Sequence, residues 1–393
     1  MAAEPVQSAS LVPICRQVTS PFRKAACELF GPRDPRVIPW LDFCRALAIL
    51  LVLGSHSPDF GLAGLGAQLF TWGWAGVDLF FVLSGYLIAK QLWSEVAATG
   101  SVRVGRFLLK RGLRIWPLYY AAIVTVFLLD FVSHRSPKPL LADLFCVSDY
   151  FHHQVPGGWS LSVEEQFYLI LPVLLFLLRK LPPKALLGVP VAWFILLPLL
   201  RRFTLLIHPD ASTNGFLAYA FHTHTDGLAI GVILAWLSVF AKNWWRSGAG
   251  KYWIPAVAIC CGLIEHKFHT LTFAYTGLAL LFGGLVLVGL RASLPNRLTH
   301  WRILHVISRL SYGSYLNNLI LVQLIDPYTH SFVSAHATNT MFFVAWFAGF
   351  VLVSNAVAFV TYALIEAPFL EVRERWLSGE KRSKQPVAPP VHA

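Results

Sequence analysis

Two ionisable side chains, Arg45 and His56, stand eleven residues apart with only uncharged residues between them. On an α-helix, eleven residues make about three full turns and rise about 16 Å, so both side chains lie on one face. Ionisable groups are costly inside a membrane and commonly mark a functional site there. Because imidazole changes charge near neutral pH, His56 is predicted to do acid/base work. The structural alternative is that Arg45 snorkels to the headgroups or pairs with Asp42, and that His56 is an interfacial residue.

A basic cluster, Lys110, Arg111 and Arg114, precedes the third apolar stretch. The two arginines are three residues apart, so one helical face presents two guanidinium groups suited to bidentate binding of phosphate oxygens. The alternative is ordinary topology, since basic residues are enriched at the cytosolic flanks of membrane helices. The cluster therefore predicts either an anion site or a simple membrane flank.

Three carboxylates, Asp78, Glu164 and Asp226, fall near the outer ends of the second, fourth and sixth apolar stretches. Each is predicted either to orient a catalytic histidine or to be a structural hydrogen-bond partner. Ser162 and Glu165 match the S-x-x-E capping box, which gives Glu165 a structural explanation. Adjacent residues on a helix point about 100 degrees apart, so Glu164 is the better functional candidate.

The elements that position these groups are predicted from composition. Hydrophobic residues make up 56% of the 393 residues and charged residues only 13%, far from the composition of soluble domains. We predict an all-α integral membrane protein with ten transmembrane helices, since about 20 apolar residues in a helix cross a hydrocarbon core of about 30 Å. The predicted spans are 40–57, 73–92, 116–132, 159–178, 185–200, 221–240, 253–268, 271–290, 311–326 and 341–364.

The distribution of Lys and Arg predicts the orientation. These residues concentrate in the termini and the even-numbered loops, so the positive-inside rule places both termini in the cytosol of a multi-pass cell-membrane protein. We expect a cytosolic tail at 1–37, a membrane domain at 38–370 and a basic, proline-rich cytosolic tail at 371–393 that is disordered from about residue 373. The net charge of +12 then reflects topology and contact with anionic lipid rather than nucleic acid.

Several chemistries are disfavoured by missing motifs. The sequence has no P-loop and no G-x-G-x-x-G after a strand, which argues against nucleotide hydrolysis and redox chemistry. No cysteine pair has metal-ligand spacing. His222 and His224 form an H-x-H pair whose rings a helix would send to opposite faces. No metal is therefore predicted.

Seven short motifs occur in an order typical of one family and cover roughly residues 39–370. They are Arg45-x10-His56, "GVDLFFVLSGYLI", Arg111-x-x-Arg114, "WSLSVEEQFY", "DGLAIG", "SYGSYL" and "IEAPF". The chain resembles the integral-membrane acyltransferase-3 proteins, which O-acylate cell-surface sugars, peptidoglycan or macrolides. One departure is that Asn317 and Asn318 stand where such proteins commonly place the histidine of a YLxH motif.

The resemblance implies acyl-CoA, usually acetyl-CoA, as the donor. It also implies that Arg111 and Arg114, with Lys110 beside them, engage the CoA phosphates from the cytosol, and that Arg45 and His56 are required for activity. The acceptor implied is a hydroxyl of a carbohydrate, either an extracytoplasmic or a lipid-linked cell-surface polysaccharide.

The combined hypothesis is a membrane O-acyltransferase whose partners are acyl-CoA, a carbohydrate or glycolipid acceptor and the lipid bilayer. His56 acts as general base on the acceptor hydroxyl or accepts the acyl group transiently. Asp78, Glu164 or Asp226 fixes its tautomer, and Arg45 stabilises charge on the thioester oxygen or binds the donor. The alternatives are a transporter or flippase of an anionic lipid-linked sugar, and a non-catalytic assembly partner.

Overall fold

The described part of the chain is helical and contains no strand in the computed structural model. The structure describes residues 20–31, 37–57, 72–134, 140–151, 155–212, 215–247, 259, 262, 272–291, 302–335 and 340–383. The longer helices are α1 (Pro21–Phe30), α2 (Pro39–Ser55), α3 (Gly76–Thr99), α4 (Val104–Val132), α5 (Gly158–Leu177), α6 (Pro183–Ile207), α7 (Asp226–Phe240), α8 (Ala274–Arg291), α9 (Arg302–Ala335), α10 (Thr340–Thr361) and α11 (Ala367–Ser383). Shorter helical turns are Trp72–Ala75, Leu141–Leu144, Pro209–Ser212, Phe216–Tyr219 and Lys242–Ser247, and the π-helical turn Tyr362–Glu366 joins α10 to α11.

Six helical segments in the described part are long and apolar enough to cross a membrane. They are α3 with its preceding turn, α4, α5, α6, α8, and the continuous segment from α10 into α11. The prediction of an all-α protein rich in membrane helices is confirmed for these residues. α2 and α7 are shorter, with 17 and 15 residues. The predicted span at 253–268 lies outside the described residues apart from residues 259 and 262. The count of ten spans, the cytosolic termini and the limits of the three predicted domains stay predictions.

The centre of the fold is a close crossing of α3 and α7, made possible by glycines. A Cβ atom on Gly85 would lie 2.4 Å from the Leu228 carbonyl oxygen, and one on Gly231 would lie 2.5 Å from the Tyr86 nitrogen. The two backbones therefore touch, as small residues allow between membrane helices. The glycines of "LSGYL" and "DGLAIG" thus have a packing role, and the crossing fixes the ends of both helices relative to each other.

Both predicted tails contain helix. α1 packs against α9 and the π-helical turn, and the Tyr362 hydroxyl donates to Glu28 Oε2 at 2.9 Å. Lys24 on α1 also pairs with Glu371 on α11. The prediction of disorder from residue 373 is wrong as far as Ser383, because α11 continues α10 through the π-helical turn and lies against α4.

Candidate functional site

A cavity of about 390 Å³ opens between α2, α3, α4, α5 and α9. Val77, Phe80 and Phe81 contribute to its apolar wall. The polar side chains along the wall are Arg45, Ser84, Gln91, Arg111, Arg114, Ser160, Glu164, Tyr168, Ser311, Tyr312 and Tyr315. Four of the residues predicted from sequence therefore meet in one place.

Three arginines face this cavity with little opposing charge. Arg45 lies 3.5 Å from Asp42 Oδ1, the i, i+3 pair of the structural alternative. Asp42 is shared, since it also accepts hydrogen bonds from His305 and Ser308. The electrostatic balance of the cavity is therefore positive.

Arg111 and Arg114 carry most of that positive charge. Neither forms an ion pair within the described part of the chain, and the Arg111 guanidinium lies 5.9 Å from the centre of the Tyr168 ring. Paired guanidinium groups of this kind are suited to bind an anionic group such as a phosphate.

Glu164 is the buried carboxylate of the cavity. Its Oε1 accepts a hydrogen bond from Ser84 Oγ at 2.8 Å, and its Oε2 accepts one from the Tyr168 hydroxyl at 2.7 Å. The Tyr168 ring in turn lies close to the Arg111 guanidinium, so Glu164 helps to hold the part of the cavity wall that carries Arg111. The structure thus places Glu164 among the candidate residues without bringing it to His56.

The capping-box prediction for Ser162 and Glu165 is wrong. α5 begins at Gly158, after Gly157 in the left-handed conformation with φ of 75°, so Ser162 lies a full turn inside the helix. Its hydroxyl pairs with Ser148 at 2.7 Å, and Glu165 accepts a hydrogen bond from Trp116 at 2.9 Å. The preference for Glu164 over Glu165 as the functional candidate nevertheless agrees with the cavity wall.

His56 ends α2 and is held by Asn318 of α9. His56 Nδ1 lies 2.6 Å from Asn318 Oδ1, while Asn318 Nδ2 donates to the carbonyl oxygens of Ser314 and Tyr315. The two amide donors fix which end of Asn318 faces the ring, so Oδ1 accepts and His56 Nδ1 donates. The neutral imidazole then carries its lone pair on Nε2, the arrangement that a general base needs.

His56 and the cavity are linked through one turn of α9. His56 itself does not line the cavity, but Tyr315 does, and Asn318 follows Tyr315 by three residues. Ser160 and Tyr315 place their hydroxyl groups together at the cavity wall, and both contact the Gly157 carbonyl oxygen at 3.2 Å. His56 is therefore linked to the cavity wall through Asn318 and Tyr315 of α9 and is not part of the lining that contains the three arginines.

Asp78 does not contact His56. Its Oδ1 lies 2.9 Å from His224 Nε2, and His224 Nδ1 faces the Ala218 carbonyl oxygen. The His224 ring packs against the rings of Trp159 and Tyr275 at 5.7 and 3.8 Å between centres. The structure therefore gives Asp78 and His224 a buried packing role, and corrects the prediction that Asp78 orients His56.

Asp226 is held in a buried ion pair. Arg201 donates to its two oxygens at 2.7 and 3.1 Å, and the Thr276 hydroxyl donates to Oδ1 at 2.6 Å. Both charged side chains are fully buried. With its oxygens satisfied in this way, Asp226 does not reach His56, and the prediction that it fixes the histidine tautomer is corrected.

Lys110 lies apart from the cavity arginines. It lines a second pocket of about 320 Å³ together with Arg103 and Arg106, and only Gln91 borders both pockets.

His222 stacks on Tyr150 at 5.6 Å between ring centres. The described residues contain no group of three or more His, Cys, Asp or Glu arranged to hold a metal ion.

Sequence reasoning missed Arg201, Ser84 and Tyr168. Arg201 stands at the end of an apolar stretch, where arginines commonly flank a membrane helix, so nothing in the local pattern marks it as buried. Ser84 and Tyr168 stand in the quoted motifs, and Tyr168 is one helical turn after Glu164. That i, i+4 spacing was a signal available from the sequence.

Comparison with known proteins identifies the family. The model described as an acyltransferase domain matches residues 38–362. O-acetyltransferase OatA of Staphylococcus aureus (strain NCTC 8325 / PS 47) is 32% identical over 223 residues, which is 52% of this chain and 35% of that protein. Peptidoglycan O-acetyltransferase OatA of Listeria monocytogenes serovar 1/2a (strain ATCC BAA-679 / EGD-e) is 28% identical over 330 residues, which is 74% of this chain and 50% of that protein.

The match covers most of this chain but only part of the relatives. The chain aligns with no more than half of the length of these two curated relatives. No solved structure matches the chain closely enough to count as similar. The resemblance first seen in the seven motifs is confirmed by the match over residues 38–362, and the chain belongs to the acyltransferase-3 family.

Proposed function

We propose that this protein is a membrane-embedded O-acyltransferase that moves an acyl group, typically acetyl, from acyl-CoA to a hydroxyl of a carbohydrate. The observation that carries the proposal is the cavity into which Arg45, Arg111 and Arg114 face, linked through Tyr315 and Asn318 to a histidine whose Nε2 has no hydrogen-bond partner among the described residues. The names of the relatives, O-acetyltransferase and peptidoglycan O-acetyltransferase, support acetyl transfer and a cell-surface glycan acceptor.

The arginines define the donor end of the proposed site. Two guanidinium forks three residues apart on α4 match the phosphate groups of a CoA thioester. Arg45 on α2 lies near the same end, about 16 Å of helical rise from His56. The thioester arm is proposed to extend from the arginines along α2 towards the histidine. Glu164 supports this end by holding Tyr168 under Arg111.

The proposed chemistry uses His56 Nε2. The acceptor hydroxyl gives its proton to Nε2 while its oxygen attacks the acyl carbonyl carbon. The carbon–sulfur bond then breaks, and the leaving thiolate takes the proton from the imidazolium to give free CoA thiol and an ester. In the alternative order, His56 Nε2 attacks the acyl carbon, the carbon–sulfur bond breaks and the CoA thiolate leaves; the acceptor hydroxyl then takes the acyl group from Nε2, and its proton ends on the thiolate.

The proposed setting is the cell membrane with both termini cytosolic, and residues 38–370 as the catalytic domain. Donor then enters from the cytosol, and the acceptor is an extracytoplasmic or lipid-linked polysaccharide. Arg45 and the α4 pair lie at the end of the site expected to face the cytosol, which agrees with the positive-inside rule.

Arg111→Ala with Arg114→Ala is expected to raise the KM for acetyl-CoA about 10²- to 10⁴-fold, because each of the two lost phosphate contacts costs about 1.5–3 kcal/mol. The measurement is free CoA released by purified protein from labelled acetyl-CoA in the presence of oligosaccharide acceptors. Arg179→Ala, an exposed arginine at the end of α5, is the control. An unchanged KM contradicts the phosphate assignment, and absence of any label transfer by the parent protein favours the transporter alternative.

Asn318→Leu is expected to lower kcat about tenfold, because His56 loses the acceptor that holds its tautomer and ring orientation. Asn318→Asp keeps an acceptor towards Nδ1 and is expected to restore most of the rate. Its negative charge favours the imidazolium, so the pH–rate profile of this variant should move to higher pH. Equal losses in both variants with an unmoved pH profile would show that Asn318 acts only in packing.

A further inference from the structure

Beyond the cavity, α11 brings another arginine towards the same end of the site. α11 lies against α4, the helix that carries Arg111 and Arg114. Arg373 of α11 is half-buried, and its Nε is buried without a hydrogen-bond partner in the described part of the chain. Arg373 also follows residue 362, where the family match ends. An unpaired buried guanidinium nitrogen is costly, so its orientation calls for a partner.

The charges around Arg373 are mainly of its own sign. Arg114 and Arg309 both lie within electrostatic range of Arg373, and Arg309 donates a hydrogen bond to the Tyr362 hydroxyl at 3.3 Å. Arg45 also lies within range of Arg114 and Arg309. Arginines from α2, α4, α9 and α11 therefore share one region.

The carboxylates near this region include Glu28, which accepts a hydrogen bond from the Tyr362 hydroxyl, the group to which Arg309 donates. Glu366 of the π-helical turn is buried and faces Arg114 and Arg309, while Glu374, the neighbour of Arg373 in sequence, is exposed. Asp42 is engaged by Arg45, His305 and Ser308. Like charges gathered in a partly buried place repel one another unless an anion lies among them, so this region is suited to an anionic ligand.

The chemical class of that ligand follows from the number and geometry of the arginines. Guanidinium groups bind phosphate oxygens in bidentate fashion, and a phosphomonoester carries close to two negative charges at neutral pH. Arg111 and Arg114 line the cavity, whereas Arg309 and Arg373 lie outside the lining, with Arg373 within electrostatic range of Arg114 and Arg309. A donor with several phosphate groups would therefore place one group in the cavity and another beyond it.

We propose that Arg309 and Arg373, next to Arg114, form a second phosphate subsite for the phosphate group farthest from the thioester. With acyl-CoA as donor, this group is the 3′-phosphomonoester of the nucleotide end. The identity of the donor rests on the proposed function, whereas the subsite rests on the arginine geometry. α11 then contributes directly to donor binding rather than forming a passive tail.

The test compares two arginines of the same helix. Arg375 is 82% exposed and pairs with Glu371 at 3.6 Å, so Arg375→Ala is a matched control for Arg373→Ala. Titration calorimetry on the full-length protein in neutral detergent measures the Kd of CoA and of 3′-dephospho-CoA. Arg373→Ala is expected to weaken CoA binding about tenfold or more, since a tenfold change corresponds to one charged contact of about 1.4 kcal/mol. Its affinity for 3′-dephospho-CoA should equal that of the parent.

Several results would overturn the subsite. If Arg373→Ala and Arg373→Gln both weaken the binding of CoA and of 3′-dephospho-CoA equally, Arg373 has a structural role. If Arg373→Ala weakens the binding of neither compound, Arg373 has no role in donor binding. In nanodiscs, a stabilisation by phosphatidylglycerol over phosphatidylcholine that Arg373→Ala abolishes, with CoA affinity unchanged, would assign the site to a lipid headgroup. If the parent binds neither CoA compound, the proposed function fails; if it binds both equally, only the subsite fails.

Discussion

His56→Ala is expected to lower kcat for acyl transfer by about 10²- to 10⁴-fold, the usual contribution of a positioned general base. The KM for acyl-CoA should change little, because the donor is held by arginines at the other end of α2. The physical reason is the tautomer: Asn318 fixes the Nδ1 proton, which leaves Nε2 as the base. Alanine removes the imidazole and supplies no other group that could accept the proton of the acceptor hydroxyl.

The control for this loss is Ser55→Ala, one residue earlier on the same helix end. The Ser55 hydroxyl donates only to the Val52 carbonyl oxygen, within its own turn, so its removal should leave kcat near the parent value. Steady-state release of CoA thiol is the measurement, with protein abundance and membrane insertion matched. A parent-like rate for His56→Ala would remove His56 from the mechanism. A burst of CoA release in the parent without acceptor would favour the acyl-histidine route.

The predicted site residues that the structure brings together are those whose positions depend on local geometry, and their roles in donor binding and catalysis stay predictions. Arg111 and Arg114 are one helical turn apart, so their shared direction follows from sequence spacing, and the structure places both on the cavity wall. Arg45 and Glu164 were also placed by helical position and depth. Helical periodicity and hydropathy were sufficient for these residues because their neighbours in space are set by the helix itself.

The predictions that failed depend on contacts between distant segments. Asp226 forms an ion pair with Arg201, and Asp78 hydrogen-bonds to His224, a residue 146 positions away in sequence. Asn318 reaches His56 across 262 positions, so no local pattern identifies it as the partner. The helix through Ser383 was missed because basic composition suggests a solvated tail, whereas packing of α11 against α4 keeps it ordered.

Arg201→Met alone is expected to destabilise the protein by about 3–5 kcal/mol, because it leaves the buried Asp226 carboxylate without its counter-charge. Asp226→Leu alone should cost a similar amount by leaving the guanidinium unpaired. The double variant should recover a large part of the loss, since two apolar side chains need no partner. Recovery should be incomplete, because Arg201 also donates to the carbonyl oxygens of Thr223 and Thr272. The measurement is the free energy of unfolding in mixed detergent micelles.

Activity of the double variant decides between structure and catalysis for Asp226. If the carboxylate only balances Arg201, the folded fraction of the double variant should retain close to the parent kcat, although each single variant loses activity through unfolding. A double variant that regains stability but stays inactive would show that Asp226 takes part in catalysis. The buried location of the pair, fully removed from solvent and without contact to His56, favours the first outcome. The same logic extends to Asp78 and His224, which hydrogen-bond to each other near the start of α7 and away from the cavity.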